Sequence, residues 1–480
     1  MTDTINIKKG LDIPVTGTAA LRLTDARNIG TYAVKPTDYV GLVPRLLVAE
    51  GDEVSAGGAL FCDKRDERIR FTSPVDGRVK AIVRGDKRLL LAVVVERAGT
   101  AVPAHSKSSV SATALEEDGL SFKERMLHNG LWTCLRQRPF GCVANPDDRP
   151  KAIFISCFDS APLAPDYDFL LAGREEDFNR GIEALIGLEA PIHICFRPGQ
   201  QLAAHVGRSS SKQVQVHYVS GPHPAGNVGT QIAAISPINK GEVVWTINPQ
   251  DVAVLGSYCR TGVYCPERLI AVAGPEIKYP QYYRIVAGAS LATIVQSQTL
   301  NPAYPEISEP LPLQGSRLIS GNILSGTQIA SDGFVGAYDS LVSILPEGNY
   351  YDFMGWLMPG LKKYSFSRTF WSGFVPRWLH SLFDIMPPCL KQRFDTNTHG
   401  EVRPLVFTGN FERVFPFDIY PTQLIKACII GDVELQENLG IYEVEPEDFA
   451  LCEFIDTSKT DIQPIIREAL EKLRKEALDV

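Results

Sequence analysis

The sequence predicts a multidomain α/β protein, on three observations. At 480 residues the chain is too long for one ordinary core and suits about three or four domains. Its N-terminal part consists of short apolar runs divided by glycine-bearing turn pairs, the texture of compact β structure. From about residue 120 the apolar period alternates between that of strands and that of helices, which argues for strand–helix–strand units on a sheet.

Bulk features narrow the class. Hydrophobic residues make up 44% and charged residues 22%, with 39 Gly and 33 Pro, a globular and turn-rich composition. Lys and Arg number 48 against 56 Asp and Glu, a net charge of −8. Such a surface repels phosphate backbones, so no nucleic-acid partner is expected. The ten cysteines are scattered without C-x2-C spacing, which suits free thiols in a reducing compartment and argues against a disulfide framework or zinc knuckle. The opening MTDTINIKKG has no apolar signal region, and no apolar run approaches the roughly 18 residues that cross a bilayer. A soluble or peripheral protein with no transmembrane segment is expected.

Residues 1–110 are assigned to a β barrel sandwich. Turn pairs stand at Gly51-Asp52, Gly57-Gly58 and Asp76-Gly77. The stretch resembles the biotinyl/lipoyl-like barrel sandwich, whose halves carry V-x2-G-D-x-V-x2-G and S/A-P-x-D-G-x-V. The matching residues are Val48, Gly51, Asp52, Val54 and Gly57, then Ser73, Pro74, Asp76, Gly77 and Val79. Carrier members of that fold place a modified lysine where this chain has Asp66, and Lys64 is out of register. A rigid structural barrel is expected rather than a carrier.

The polar run 100–119 has little to bury and reads as a linker. Residues 111–255 are assigned to a Rossmann-like domain. LSFKERMLHNGLWTCLRQ reads as helical and KAIFISCFDS as a buried strand. EEDFNRGIEALIGLE follows as a helix with Phe178, Ile182, Leu185 and Ile186 at helical spacing, and PIHICFRPG and QVQVHYVSG as strands. Residues 256–348 are assigned to a β-grasp-like module of the soluble-ligand-binding kind plus extra strands. Two β-rich segments flank the Gly-Pro…Tyr-Pro turn of AGPEIKYPQYY, and RLISGNILSGTQ and DSLVSILPEG follow. Residues 349–480 form a C-terminal, mainly helical region. Its last helix is capped by Thr460 or Asp461, with Ile462, Ile465, Ile466, Ala469, Leu470, Leu473 and Ala477 on one face.

Motifs for self-sufficient catalysis are missing. No two of the 39 glycines are two positions apart, so G-x-G is absent, and there is no G-x4-G-K-S/T loop. H-E-x-x-H, a clustered cysteine ligand set and a G-x-S-x-G elbow are absent too, and no metal is expected. GPHPAGNVGT at 221–230 has the glycines of a phosphate cradle, but Asn227 and Val228 replace its Lys and hydroxyl residue. The following QIAAISP reaches Pro237 too soon for a good helix, so a structural turn is expected. His223 within it is a candidate pocket residue.

Two segments stand out. In GLWTCLRQRPFGCVANP, Trp132 and Phe140 interleave with Arg136 and Arg138. Either a ring-bearing ligand lies there with guanidinium groups on its carbonyl oxygens, or the rings close the core and the arginines face water. Residues 350–394 hold twelve aromatic residues and six Lys/Arg against Asp352 and Asp384. That composition suits a protein interface or membrane-facing surface, or else a small core over which the basic side chains extend.

Several stretches together resemble one family, the A-subunits of the Na+-translocating NADH:quinone reductase. They include IKKGLDIPVTG, GLWTCLRQRPF, FDSAPLAPD, GPHPAGNVGT, VVWTINPQDV, RLISGNILSGT, GNFERVFPFDIYPT and EDFALCEF, in the family's order. The resemblance implies a peripheral subunit on the cytoplasmic face of the bacterial inner membrane. It implies five partner subunits, with docking on a membrane subunit. The complex would pass electrons from NADH to ubiquinone and export Na+. This subunit would carry no covalent flavin and no iron–sulfur cluster, and would bind ubiquinone for the step from ubisemiquinone to ubiquinol. Trp132, Arg136, Arg138, Phe140 and His223 are then the candidate quinone-binding residues. Two positions depart from the family pattern: Gln231 stands where His is frequent, and Asp456 near a usual Cys. The rival expectation is a scaffold subunit with no ligand of its own. A free-standing flavin or nucleotide oxidoreductase is disfavoured by the missing glycine loop.

Overall fold

The structure is a computed structural model that describes residues 4–99, 121–206, 212–296, 315–351 and 391–478, with short stretches between 354 and 370. The expected linker 100–119 and most of the aromatic segment 350–394 lie outside the described residues.

The glycine-punctuated region forms two small sheets. Thr31–Val34, Leu90–Arg97, Gly77–Arg84 and Glu53–Val54 make one, and Pro44–Leu46, Ala59–Asp63 and Arg70–Thr72 the other. Tyr32, Leu60, Phe61, Phe71, Val79, Val93 and Val95 are buried within this barrel, with Phe61 and Phe71 stacked at 4.8 Å. Asp66 sits in the turn between the last two strands named, paired at 2.7 Å with Arg68, which also reaches Asp147 at 2.6 Å.

A seven-stranded sheet follows. Its order is Thr4–Asn6, Val214–Ser220, Ile192–Phe196, Ile153–Ser156, Val244–Thr246, Arg136–Arg138, Cys142–Val143. The first five strands are parallel and the last two antiparallel. Alternation sorts the two faces. Ile153, Ile155, Ile192 and Ile194 pack with Phe178 and Ile182 of the helix Glu175–Ile186 and with Val252 of the helix Pro249–Thr261. Phe154, Cys195 and Val219 pack with Ile232 of the helix Val228–Ile235.

The third sheet runs Thr327–Ile329, Ser316–Ser320, Leu341–Pro346, Glu267–Ala273, Gln281–Val286, Ala20–Asp25. The N-terminal segment thus adds Thr4–Asn6 to one sheet and Ala20–Asp25 to another before it enters the barrel. The C-terminal part is a cluster of helices, Phe411–Val414, Pro421–Ile430, Val433–Asn438, Ala450–Ile455 and Ile462–Leu478, around buried Phe415, Phe417, Leu424, Phe449, Ile466 and Leu470. On the last helix Ile462, Ile466, Ala469, Leu470 and Leu473 are buried, Ile465 is half-buried and Ala477 is exposed, because the helix runs on past its core.

Two local expectations are corrected. The stretch 120–137 is helical only over Phe122–His128, started by a Ser121–Glu124 capping box. Gly130 at φ 71 ends it, a 3-10 turn Leu131–Cys134 follows, and Arg136–Arg138 pairs as a strand with Val244–Thr246. A helix also does follow the 221–230 loop: it runs Val228–Ile235, and Pro237 lies just beyond its last turn rather than inside it. Among the described residues no helix is long and apolar enough to cross a membrane.

Candidate functional site

Parallel strands end their ladders together, and the loops that leave them diverge, so a crevice forms at their carboxyl ends. Here a cavity of about 180 Å³ opens where Ile153–Ser156 and Val244–Thr246 end. Its wall is built from Ser156, Phe158, Asp159 and Thr246–Pro249 of those strand ends, from His223 and Gly226–Val228 of the loop, and from Arg136. Asn322, Leu324, Ser325 and Tyr338 come from the third sheet, and Glu447 and Ala450 from the helical region. Three parts of the molecule therefore close one cavity.

The loop GPHPAGNVGT is tied down by hydrogen bonds. Gly226 N–H donates to Ser160 Oγ at 2.8 Å, and Ser160 Oγ lies 3.0 Å from His223 Nδ1. The hydroxyl can donate to Nδ1 while it accepts from Gly226, the arrangement that leaves the hydrogen of the neutral ring on Nε2. Burial pushes His223 down to about 4, so the ring is neutral near pH 7. Gln231, buried on the helix Val228–Ile235, donates to Ser156 Oγ at 2.8 Å and to Ala225 O at 3.2 Å. It fastens the loop to the strand end.

The first turn of that helix explains why the loop is no phosphate cradle. A Cβ on Gly229 would clash with Arg138 Nη1 and Asp448 Oδ1. The Arg138 guanidinium and the Asp448 carboxylate press against the backbone at Gly229 and leave no room there for a phosphate. Glycine is required there for close approach, not for a ligand.

Arg138 is the hub of that contact. It is buried and pairs with Glu447 at 2.6 Å, Asp448 at 3.0 Å and Glu445 at 3.5 Å, all from the loop and short turn before the helix Ala450–Ile455. Arg136 reaches Glu445 at 3.5 Å and stacks over the Tyr338 ring at 5.2 Å. Burial raises the Asp448 carboxyl well above the usual carboxylate range, although Arg138 opposes it. Burial also pushes Glu447 up, but Arg138 and Arg136 outweigh it and its net shift is downward.

Of the five candidate residues, the structure brings Arg136 and His223 into the cavity wall. Trp132 is fully buried, donates to Ala144 O at 2.7 Å and packs edge-on against Trp245. Arg138 lies behind the wall in the ion cluster. Phe140, at φ 87, packs on Tyr442 of the helical region, and its carbonyl accepts from Arg467 at 2.8 Å. Sequence reasoning missed Tyr338, Asp159, Glu447 and Asp448. The last two open the stretch EDFALCEF, where two acids directly precede an apolar run.

A second cavity of about 90 Å³ lies on the barrel side and shares Cys134 and Tyr338 with the first. Its lining includes the buried pair Asp251–Arg268 at 2.5 Å. Among the described residues no group of three or more His, Cys, Asp or Glu could hold a metal.

A barrel sandwich, an α/β sheet whose strand ends meet a cavity, and a docked helical region define a multidomain α/β protein with no nucleotide loop. Family models match three spans: the NqrA N-terminal barrel-sandwich hybrid domain over residues 5–98, the NqrA second alpha/beta domain over 118–264, and the NQRA C-terminal domain over 269–307. The chain is 36% identical to the A-subunit of the Na(+)-translocating NADH-quinone reductase of Yersinia pseudotuberculosis serotype I over 475 residues, 98% of this chain and 100% of that one. The proteins of the same name from Serratia proteamaculans and Haemophilus influenzae are also 36% identical, over 476 and 477 residues, with the same coverage. The chain belongs to the A-subunit family of the Na(+)-translocating NADH-quinone reductase, one component of an oxidoreductase complex and not an enzyme complete in itself.

Proposed function

We propose that the chain is a peripheral subunit of a respiratory Na+-translocating NADH:ubiquinone reductase, on the cytoplasmic face of the bacterial inner membrane. Five other subunits accompany it, and it docks on a membrane subunit. The complex reduces ubiquinone to ubiquinol and exports Na+ from the cytoplasm. This subunit binds quinone for the ubisemiquinone-to-ubiquinol step and carries no covalent flavin or iron–sulfur cluster. The relatives' name supports the reductase. In the same reading, residues 111–255 are a Rossmann-like domain without its nucleotide loop and 256–348 a β-grasp-like module. They stand between a barrel within 1–110 and a helical region over 349–480.

The cavity carries the quinone role. A quinone head group is a flat ring with carbonyl oxygens, and the cavity offers Phe158, Tyr167, Leu324 and Tyr338 as walls with the Arg136 guanidinium and a neutral His223 as donors. Trp132, Arg138 and Phe140 lie outside the cavity lining, and in this reading they do not touch the ring. Calorimetric titration of the full chain with ubiquinone-1 tests the reading. Saturable heat, displaced by a quinone analogue, is expected, and Arg136→Ala weakens it at least about tenfold, the cost of a charge-assisted hydrogen bond. One observation favours a scaffold without ligand: Trp132 and Arg138 are spent on packing and ion pairing. No heat and no displacement would leave that reading alone.

A further inference from the structure

The barrel carries charge of the opposite sign to the rest of the chain. Residues 1–98 hold 16 Lys and Arg against 13 Asp and Glu, in a protein of net charge −8. The excess is concentrated on the hairpin of the strands Gly77–Arg84 and Leu90–Arg97. Five Lys and Arg between residues 77 and 95 stand there against Asp86 alone. Two of the five are held within the barrel: Lys80 pairs with Glu96 at 2.8 Å, and Arg78 donates to Gly51 O at 2.6 Å. Arg84, Lys87 and Arg88, at the tip, are exposed and form no ion pair among the described residues. The tip has a fixed shape, because Gly85 N–H donates to Leu89 O at 2.9 Å and Arg84 to Arg88 O at 3.2 Å. Leu89 is 56% and Val83 41% exposed on it. A lone exposed leucine is ordinary surface. Here it stands among three cations that have no counter-ion.

We propose that this hairpin tip contacts an anionic phospholipid surface: Arg84, Lys87 and Arg88 meet the headgroup phosphates, and Leu89 and Val83 enter between the headgroups. This rests on the peripheral reading above. Surface binding needs two signals together, charge and apolar insertion, since either alone is weak, and the tip carries both. A convex tip gives a folded protein partner little area to bury, whereas headgroups close round it. An anionic surface repels the chain as a whole but attracts the barrel, so the charge separation turns the barrel towards it. Each cation brought to such a surface strengthens binding by about fivefold.

Sedimentation of the full chain with vesicles of phosphatidylglycerol and phosphatidylcholine tests the proposal, with phosphatidylcholine alone as reference. The wild type should bind the anionic vesicles only, and come off as salt approaches about 0.5 M. The double variant Lys87→Glu with Arg88→Glu should weaken binding at least about twentyfold, the loss of two cations at the surface. The control is Lys64→Glu with Arg65→Glu, the same change of net charge on exposed residues between the strands Ala59–Asp63 and Arg70–Thr72. It should stay within about threefold of wild type. Leu89→Ser should weaken binding about fivefold with no change of charge. All of these alter exposed side chains and should leave the denaturant midpoint unmoved. A wild type that does not bind anionic vesicles overturns the proposal, and so does an equal loss in the two charge variants, which would mean that net charge alone is read. If the tip variants keep vesicle binding but release the chain from the assembled complex, the tip binds a partner protein and the lipid proposal falls. The peripheral reading is checked separately, by the wild-type chain in the membrane fraction of cells that make the whole complex. Its absence there overturns that reading, and its presence upholds it even where the tip variants overturn the lipid contact.

Discussion

At the scale of single residues, burial and charge decide what each candidate does. Arg136 and Arg138 are two positions apart on one strand and have opposite fates. Arg136 reaches the cavity and the Tyr338 ring, while Arg138 is sealed behind it by three carboxylates. The sequence shows the aromatic–arginine interleaving but not this division, because the acids that claim Arg138 lie 307 to 310 positions away. His223 makes a pH statement. Its affinity for a proton falls from the ordinary 6.5 to about 4 on folding. A depressed base contributes stability that is present above 6.5 and lost as pH falls through about 4, by about 3 kcal/mol at most for a shift of that size. His193, also depressed to about 4, acts in the same direction. Denaturant unfolding of His223→Gln across pH 4 to 7 should show a shallower acid slope than wild type. An unchanged slope would mean that the ring is not buried neutral.

At the scale of elements, periodicity read well and boundaries read poorly. The helix Glu175–Ile186 and the strands Ile153–Ser156, Ile192–Phe196 and Val214–Ser220 fall within the stretches expected for them, because each repeats its apolar residues at the period of its geometry. The region 120–137 was harder. Its helix stops at His128 because Asn129-Gly130 turns the chain towards the strand Arg136–Arg138, whose pairing is set by its neighbouring strands rather than by local sequence. Helix Val228–Ile235 was missed because Pro237 follows it so closely; the helix starts earlier, at Val228 within the glycine loop, and Gly229 there admits Arg138 and Asp448. The C-terminal helix offers a plain check. Leu470 is 1% exposed in the core of the helical region, so Leu470→Ala should cost about 2–5 kcal/mol in denaturant unfolding, while Ala477→Ser on the exposed end should cost less than about 0.5.

At the scale of the whole molecule, the cavity exists because separate parts meet. The strand ends of the α/β sheet supply Ser156 and Thr246, the third sheet supplies Tyr338, and the helical region supplies Glu447. The N-terminal segment adds Thr4–Asn6 and Ala20–Asp25 to the two large sheets and so binds the barrel to both. Composition announced several domains, but nothing local in the sequence announces that three of them share a wall. That convergence carries the central proposal, that a quinone head group binds between Arg136 and His223 with Glu447 beside it. The most direct measurement is a structure of the full chain with bound ubiquinone-1. The account predicts the ring in this cavity, with a carbonyl oxygen within about 3.2 Å of the Arg136 guanidinium or of His223 Nε2. A ring bound elsewhere, with this cavity holding only water, would contradict it.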